Sequence, residues 1–210
     1  MKHRTLRLYG VHTEAEREGV VALNTENVSG VVLAGGFSKR MGTDKAELKL
    51  GNLTLLEIQV RKLREIGLED IMVSGYSRPV EGTRLIGDIY PHRGPMSGIH
   101  ACLKAAKNPA CLVVSVDVPL FPKEWLEKLI LEHSGPSTVL SHGGEIEPLL
   151  AVYDADLASQ AEELILSGER SVRKLLNDAE LKKLEYTGDP DLLLNCNTPE
   201  DFRKAASQYG

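Results

Sequence analysis

Apolar residues along the chain fall into short runs whose period switches between that of a strand and that of a helix. Val31-Val-Leu33 is a β-branched apolar run that stops at Ala34-Gly35-Gly36, predicting a buried strand that opens into a loop. Alternation at Glu47-Leu-Lys-Leu50 predicts a small strand turning at Gly51-Asn52. Thr54-Leu-Leu-Glu57 reads as a capping box for a helix whose apolar side carries Ile58, Val60, Leu63 and Ile66 and which stops at Gly67. Residues 70–73 form the next predicted strand, opening at Ser74-Gly75, and residues 84–88 a third, with Asp88 at its carboxyl end. A loop punctuated by Gly94, Pro95 and Gly98 leads into a helix through Ile99, Cys102, Leu103 and Ala106.

Residues 110–116 are the most continuous apolar strand, the pattern of a central parallel strand buried on both faces, and Asp117 comes directly after it. Residues 122–133 are helical, with Trp125, Leu126, Leu129 and Ile130 inward. Residues 138–141 and 148–153 flank His142-Gly-Gly-Glu145 as a hairpin expected to lie over the site. Two helical stretches come next, at residues 157–167 and 171–177, separated by Gly168-Glu-Arg170. A last short strand is expected at residues 192–194, before a helix with Thr198 as N-cap and Pro199 at its first position. Strands alternating with helices predict an α/β fold, a single doubly wound, mostly parallel sheet with helices on both faces. Ligands of such sheets sit at the carboxyl ends of the strands.

Length supports one such domain, assigned to residues 28–210; residues 1–27 have weak periodicity and read as an N-terminal extension of open role. The net charge of -5 argues against a nucleic-acid partner, which usually needs a basic face. The longest apolar runs are strand-sized, so no membrane span is expected, and no apolar segment of signal-peptide length comes after the charged N-terminus. A cytoplasmic location is the expectation. Three widely spaced cysteines without Cys-x-x-Cys predict neither a disulfide framework nor a zinc site.

The chemistry gathers at predicted strand ends. At Gly35 and Gly36 no side chain keeps a ligand from the backbone, and Arg40 and Lys45 stand at a distance that lets both reach one anion, an arrangement suited to a triphosphate. The loop is not a P-loop, because Gly42 is followed by Thr43-Asp44-Lys45, and no Gly-x-Gly-x-x-Gly is present. A carboxylate ending so apolar a strand as the one before Asp117 suits a Mg²⁺ ion that also bridges substrate phosphates, though an Asp that caps a helix reads the same. Asn197 is either a second oxygen ligand or a joint cap with Thr198. Gly94, Pro95 and Gly98 read equally as helix-entry punctuation, and Arg170 as a surface cation.

Taken in order, Leu33-Ala-Gly-Gly-x-Ser-x-Arg-Met-Gly-x-Asp-Lys45, Gly94-Pro-Met-x-Gly98, Asp117-x-Pro119, Gly168-Glu-Arg170 and Asn195-x-Asn-Thr-Pro-Glu200 resemble the molybdenum cofactor guanylyltransferases over residues 29–206. The resemblance implies a Rossmann-like nucleotidyltransferase fold and transfer of GMP from GTP to the terminal phosphate of molybdopterin, with Mg²⁺ and release of pyrophosphate. By matching position it implies GTP contacts at Leu33, Ala34, Gly35, Gly36, Lys45, Asp88 and Asp117, and metal at Asp117 and Asn197. Ser74, a polar residue at a predicted strand end, is counted with the GTP contacts although the family more often has Asn at that position. Arg40, Lys45 and Asp117 take the catalytic roles, and Gly94, Pro95, Gly98 and Arg170 the molybdopterin contacts. Molybdopterin-loading proteins and apo-molybdoenzymes are the implied transient partners. A cytidylyltransferase for the same pterin commonly reads Leu-Ala-Ala-Gly, so Gly35 favours guanine; a nucleotide-binding module without turnover is the other reading.

Overall fold

Strand β1 (Val28–Leu33) is buried at all six positions and carries Gly30, where an added Cβ would lie 2.9 Å from Leu63 Cδ1. The computed structural model describes residues 24–35, 44–176 and 180–209. After the glycine turn come β2 (Lys49–Leu50), β3 (Leu53–Thr54), α1 (Leu55–Glu65), β4 (Ile71–Ser74), β5 (Arg84–Ile86) and α2 (Pro95–Ala105). They are succeeded by β6 (Ala110–Ser115), α3 (Lys123–Leu131), β7 (Ser137–His142), β8 (Glu145–Asp154), α4 (Leu157–Leu166), β9 (Leu181–Glu185) and α5 (Pro199–Gln208).

The helix starts agree with the sequence signals. Thr54 accepts from the Glu57 amide at 3.1 Å while Glu57 accepts from the Thr54 amide at 2.7 Å, closing the expected box. Thr198 and Asp201 repeat the device at α5, with Pro199 in the first turn. Of the expected extension, residues 1–23 lie outside the described residues, and Thr25–Asn27 form a 3-10 turn leading into β1.

Seven strands make one sheet in the order β5-β4-β1-β6-β8-β7-β9, while β2 and β3 form a separate small hairpin. The pairings β5·β4, β4·β1, β1·β6 and β7·β9 are parallel. Strand β8 runs antiparallel to both β6 and β7, so β6 is central but has only one parallel neighbour. The expected hairpin is therefore part of the sheet and not a flap above it, because β8 is ten residues long and pairs with β6 along five positions. Its bulge between Val139 and Leu140 shifts the register of the distal half. Helices α1, α3 and α5 pack on one face of the sheet and α2 and α4 on the other, each over its own apolar layer.

Two further expectations are corrected. The last strand is β9, not residues 192–194; Pro190–Leu193 is a 3-10 turn whose start is held by Asp189, which accepts from the Asp191 amide at 3.0 Å. A proline next to an Asx-type cap wins there over a run of leucines. Val172–Leu175 is likewise a short 3-10 turn in place of the helix expected over residues 171–177, the last of which lies outside the described residues. Among the described residues no helix is long and apolar enough to cross a membrane.

His100, on the inward face of α2, is fully buried, and neither of its ring nitrogens has a hydrogen-bond partner among the described residues. Desolvation lowers its pKa, with Lys104 acting in the same direction and Glu162 opposing. An unfolded chain takes up a proton on this ring near pH 6.5, while the buried ring resists it. The stability it contributes is thus complete above about pH 6.5 and lost as pH falls below that value. Urea denaturation at pH 7.5 and 5.5 should show a steeper loss for the native chain than for His100→Phe, which keeps a ring tilted against Tyr90 and removes the titration.

Candidate active site

The parallel register puts the carboxyl ends of four strands in one row. Leu33 pairs with Ser74 on one side and Ser115 on the other, and Ser74 pairs with Ile86. The residues just past each strand, Ala34-Gly35, Gly75, Asp117 and Gly87-Asp88, therefore emerge along the same edge. The row continues for one bond beyond the strands, with the Ala34 amide donating to Ser74 O at 2.8 Å and the Val116 amide to Leu33 O at 3.1 Å. Beyond that the turns touch. A Cβ on Gly75, whose φ is 77°, would lie 2.4 Å from the Gly35 backbone, so only glycine fits there.

The pocket at this edge has a volume of about 520 Å³ and is lined by Leu33, Gly35, Ser74, Asp88, Gly94, Pro95, Gly98 and Asp117 among the residues expected from sequence. Gly75, His92, Ser115 and Leu149 complete it. Of these, Gly75 carries a sequence signal as a glycine ending a strand; Leu149 arrives only because β8 is in the sheet beside β6. A second hollow of about 460 Å³ adjoins the first, sharing Gly75 and Asp88 and adding Tyr76 and Ser77. Ala34 is buried with its amide already used, so it shapes the turn without lining the pocket. Arg170 is exposed in the turn after α4 and is not part of the lining. Gly36 and Arg40 lie outside the described residues.

Each polar group has a definite holder. Ser74 Oγ donates to Asp88 Oδ1 at 3.3 Å, and desolvation raises the Asp88 carboxyl above its ordinary range despite that bond and the nearby His92. Helix α2 starts at Gly94 with no side-chain cap; Pro95 in its first turn has no N–H and the Ser97 amide donates to Gly94 O at 3.1 Å, so what the helix brings to the pocket is the positive end of its dipole. Gly98 lets α2 approach β4: a Cβ there would stand 2.6 Å from Ser74 Oγ and 3.1 Å from Leu33 Cδ2.

Lys45 joins the edge from outside the sheet. The Asp44 side chain caps a 3-10 turn, Lys45–Glu47, by accepting from the Ala46 amide at 3.1 Å. From this turn the Lys45 ammonium donates to Asp117 Oδ1 at 2.9 Å and to Asn197 Oδ1 at 2.7 Å. The Asn197 amide group is thus committed to this link, while capping of α5 falls to Thr198. Asp117 is fixed at its backbone as well: its amide donates to Ser115 Oγ at 3.1 Å and its carbonyl accepts from the Cys196 amide at 2.7 Å. Glu47 ties the same turn to the loop after β4 through a bond from the Tyr76 hydroxyl and a 3.3 Å pair with Arg78. That bond to Glu47, ahead of burial, pushes the Tyr76 phenol up to about 12.

An edge of glycine turns, a helix start without a side-chain cap and a lysine shared between two oxygens has the chemistry that suits a phosphorylated ligand in an open α/β sheet. The chain is similar to the MobA-like NTP transferase domain over residues 30–184. The molybdenum cofactor guanylyltransferase of Rhizobium meliloti is 34% identical over 193 residues, covering 83% of this chain and 88% of that protein. The protein of the same name from Rhizobium johnstonii is 32% identical over 198 residues, covering 88% and 94%. The crystal structure of molybdopterin-guanine dinucleotide biosynthesis protein A from Archaeoglobus fulgidus matches with a TM-score of 0.72 at 26% identity, over 86% of this chain and 97% of that one. The chain belongs to the MobA-like NTP transferase family and is a nucleotidyltransferase.

The close approach at Gly98 gives a direct test of the site's packing. Gly98→Ala should lower the unfolding free energy by about 1–3 kcal/mol through overpacking against Ser74 and Leu33. Gly87→Ala, where nothing lies within 4 Å of the added carbon, should change it by less than about 0.5 kcal/mol in the same urea titration.

Proposed function

We propose that the enzyme transfers GMP from GTP to the terminal phosphate of molybdopterin and releases pyrophosphate. The observation that carries this reading is the meeting of Gly35, Asp88, Asp117 and the start of α2 around one pocket, with Lys45 bound to Asp117 at its rim. The names of the relatives supply the acceptor and the base.

In this reading the nucleotide phosphates lie over the Gly35 turn, where backbone donors reach them unobstructed. Lys45 and Arg40 offset the charge that grows on the leaving pyrophosphate. Asp117 and Asn197 hold Mg²⁺. Their fit rests on geometry: two hard oxygens already converge on one cation, the Lys45 ammonium, at 2.9 and 2.7 Å, and Mg²⁺ is commonly held by one or two protein oxygens together with substrate phosphates. When bound, the ion supplies Lewis-acid polarisation of the phosphates it contacts.

The acceptor phosphate brings its own nucleophilic oxygen, which forms a bond to the α-phosphorus as the bond to the β-bridging oxygen breaks. No protein base has to take a proton, and the enzyme's work is placement and neutralisation of charge. The uncapped start of α2, at Gly94 and Pro95, suits the acceptor's phosphate, with Gly98 keeping the helix close. Arg170 serves the acceptor only if the turn after α4 comes to it. Ser74 orients Asp88, whose carboxylate accepts from guanine N1–H and N2–H, a donor pair that cytosine lacks. The reaction belongs in the cytoplasm, with transient contacts to molybdopterin-loading proteins or apo-molybdoenzymes at delivery.

Incubation with Mg²⁺, molybdopterin and either GTP or CTP tests the reading through pyrophosphate release. Release with GTP and little with CTP is expected, and Asp88→Ala should erode that preference by about tenfold or more, the cost of an unmade charged hydrogen bond. Equal release with CTP in the native enzyme, or nucleotide binding without any release, would overturn it.

A further inference from the structure

Helix α1 packs on the sheet through Leu55, Leu56, Ile58 and Leu63, yet in the middle of this apolar surface stands Gln59, only 1% exposed. Burying a primary amide is costly unless its donors are satisfied. Gln59 Nε2 satisfies both on one short segment, donating to Ser115 O at 2.8 Å and Val118 O at 3.0 Å. These two carbonyls bracket Asp117. One turn along the same helix, Lys62 Nζ donates to Pro119 O at 2.6 Å and Phe121 O at 2.7 Å. Strand β6 ends at Ser115, so the sheet ladder fixes none of the carbonyls from Val118 onward. Two side chains of α1 therefore take four carbonyls of the turn that carries Asp117.

We infer that Gln59, assisted by Lys62, is a positioning residue that aims the Asp117 carboxylate at Lys45 and at the metal-bound nucleotide. The inference rests on the proposed role of Asp117 and adds a residue that touches neither substrate nor metal. A purely structural amide would lower stability and leave metal affinity alone; a positioning amide moves both, because a tilt of the 115–118 turn changes where Oδ1 points. Residues that orient a metal ligand typically change affinity by about 10–100-fold when removed.

The test compares Mn²⁺ binding in the presence of GTP, read from the EPR signal of free Mn²⁺, with thermal unfolding of the same full-length variants. Ser29→Ala serves as the control, since it removes a buried 2.7 Å bond to Asp70 near the opposite end of β1. Gln59→Met should raise the Mn²⁺ half-saturation concentration by about tenfold or more, whereas Ser29→Ala should lower stability and leave it within about twofold. Should Gln59→Met fail to fold, Lys62→Met, which leaves the core amide intact, should raise the half-saturation in the same direction by a smaller factor. A Gln59→Met or Lys62→Met protein that unfolds earlier but binds Mn²⁺ as tightly as the native enzyme overturns the inference while Asp117→Ala still abolishes binding. If Asp117→Ala also binds Mn²⁺ unchanged, the reading of the site itself has failed, and the inference with it.

Discussion

One ammonium group holds the mouth of the sheet together. Lys45 reaches Asp117 across 72 residues of sequence and Asn197 across 152, so three chain segments with no shared secondary structure are pinned at one point. The lysine side chain is 9% exposed and Asp117 27%, which places the pair largely out of water. In such surroundings a charge without its partner is costly, more so than the pair is stabilising in itself. Removing any one member therefore leaves the others in an unfavourable state, and the three segments are expected to move as a unit.

The fold supplies what this link closes. Parallel pairing of β4, β1 and β6 aligns their carboxyl ends, and glycines at 35, 75 and 98 bring backbone to backbone and helix to strand where a side chain would intervene. At these glycines no side chain covers the main chain. Charge comes from Asp88, its pKa raised by desolvation and its carboxylate held by Ser74, and from Asp117 with Lys45. The α1 helix stands behind Asp117, so the side of the sheet facing away from α2 also contributes to the site, through hydrogen bonds to carbonyls at and beyond the end of β6.

Much of this is legible in the sequence because local chemistry and fold agree. The glycine stop after β1, the Thr54 and Thr198 boxes and the unbroken apolar run of β6 each have one dominant physical cause, and each appears in the structure. Strand direction is another matter. The apolar stretches of β7 and β8 read alike whichever way they run, so periodicity carries no sign that β8 enters the sheet antiparallel and brings Leu149 to the pocket. Strand β9 escapes a reading by periodicity because Leu181-Lys-Lys-Leu-Glu185 is an edge strand with lysines, whose polarity reads as surface. The leucines at 192–194 mislead in the opposite sense, since Leu193 and Leu194 are only partly buried against the apolar layer and belong to no ladder. Asn197 has two readings from sequence, metal ligand or helix cap; in the structure Thr198 is the cap and the Asn197 side chain meets a lysine that only the folded chain brings near.

The pinning of three segments by Lys45 is most directly tested by a double-mutant cycle on unfolding free energy with Lys45→Met, Asn197→Ala and the combined variant. Because the two residues share one bond at 2.7 Å, the cycle should close with a coupling of about 1 kcal/mol or more. Effects that simply add, to within about 0.5 kcal/mol, would contradict it, showing that the lysine and the asparagine hold their places independently.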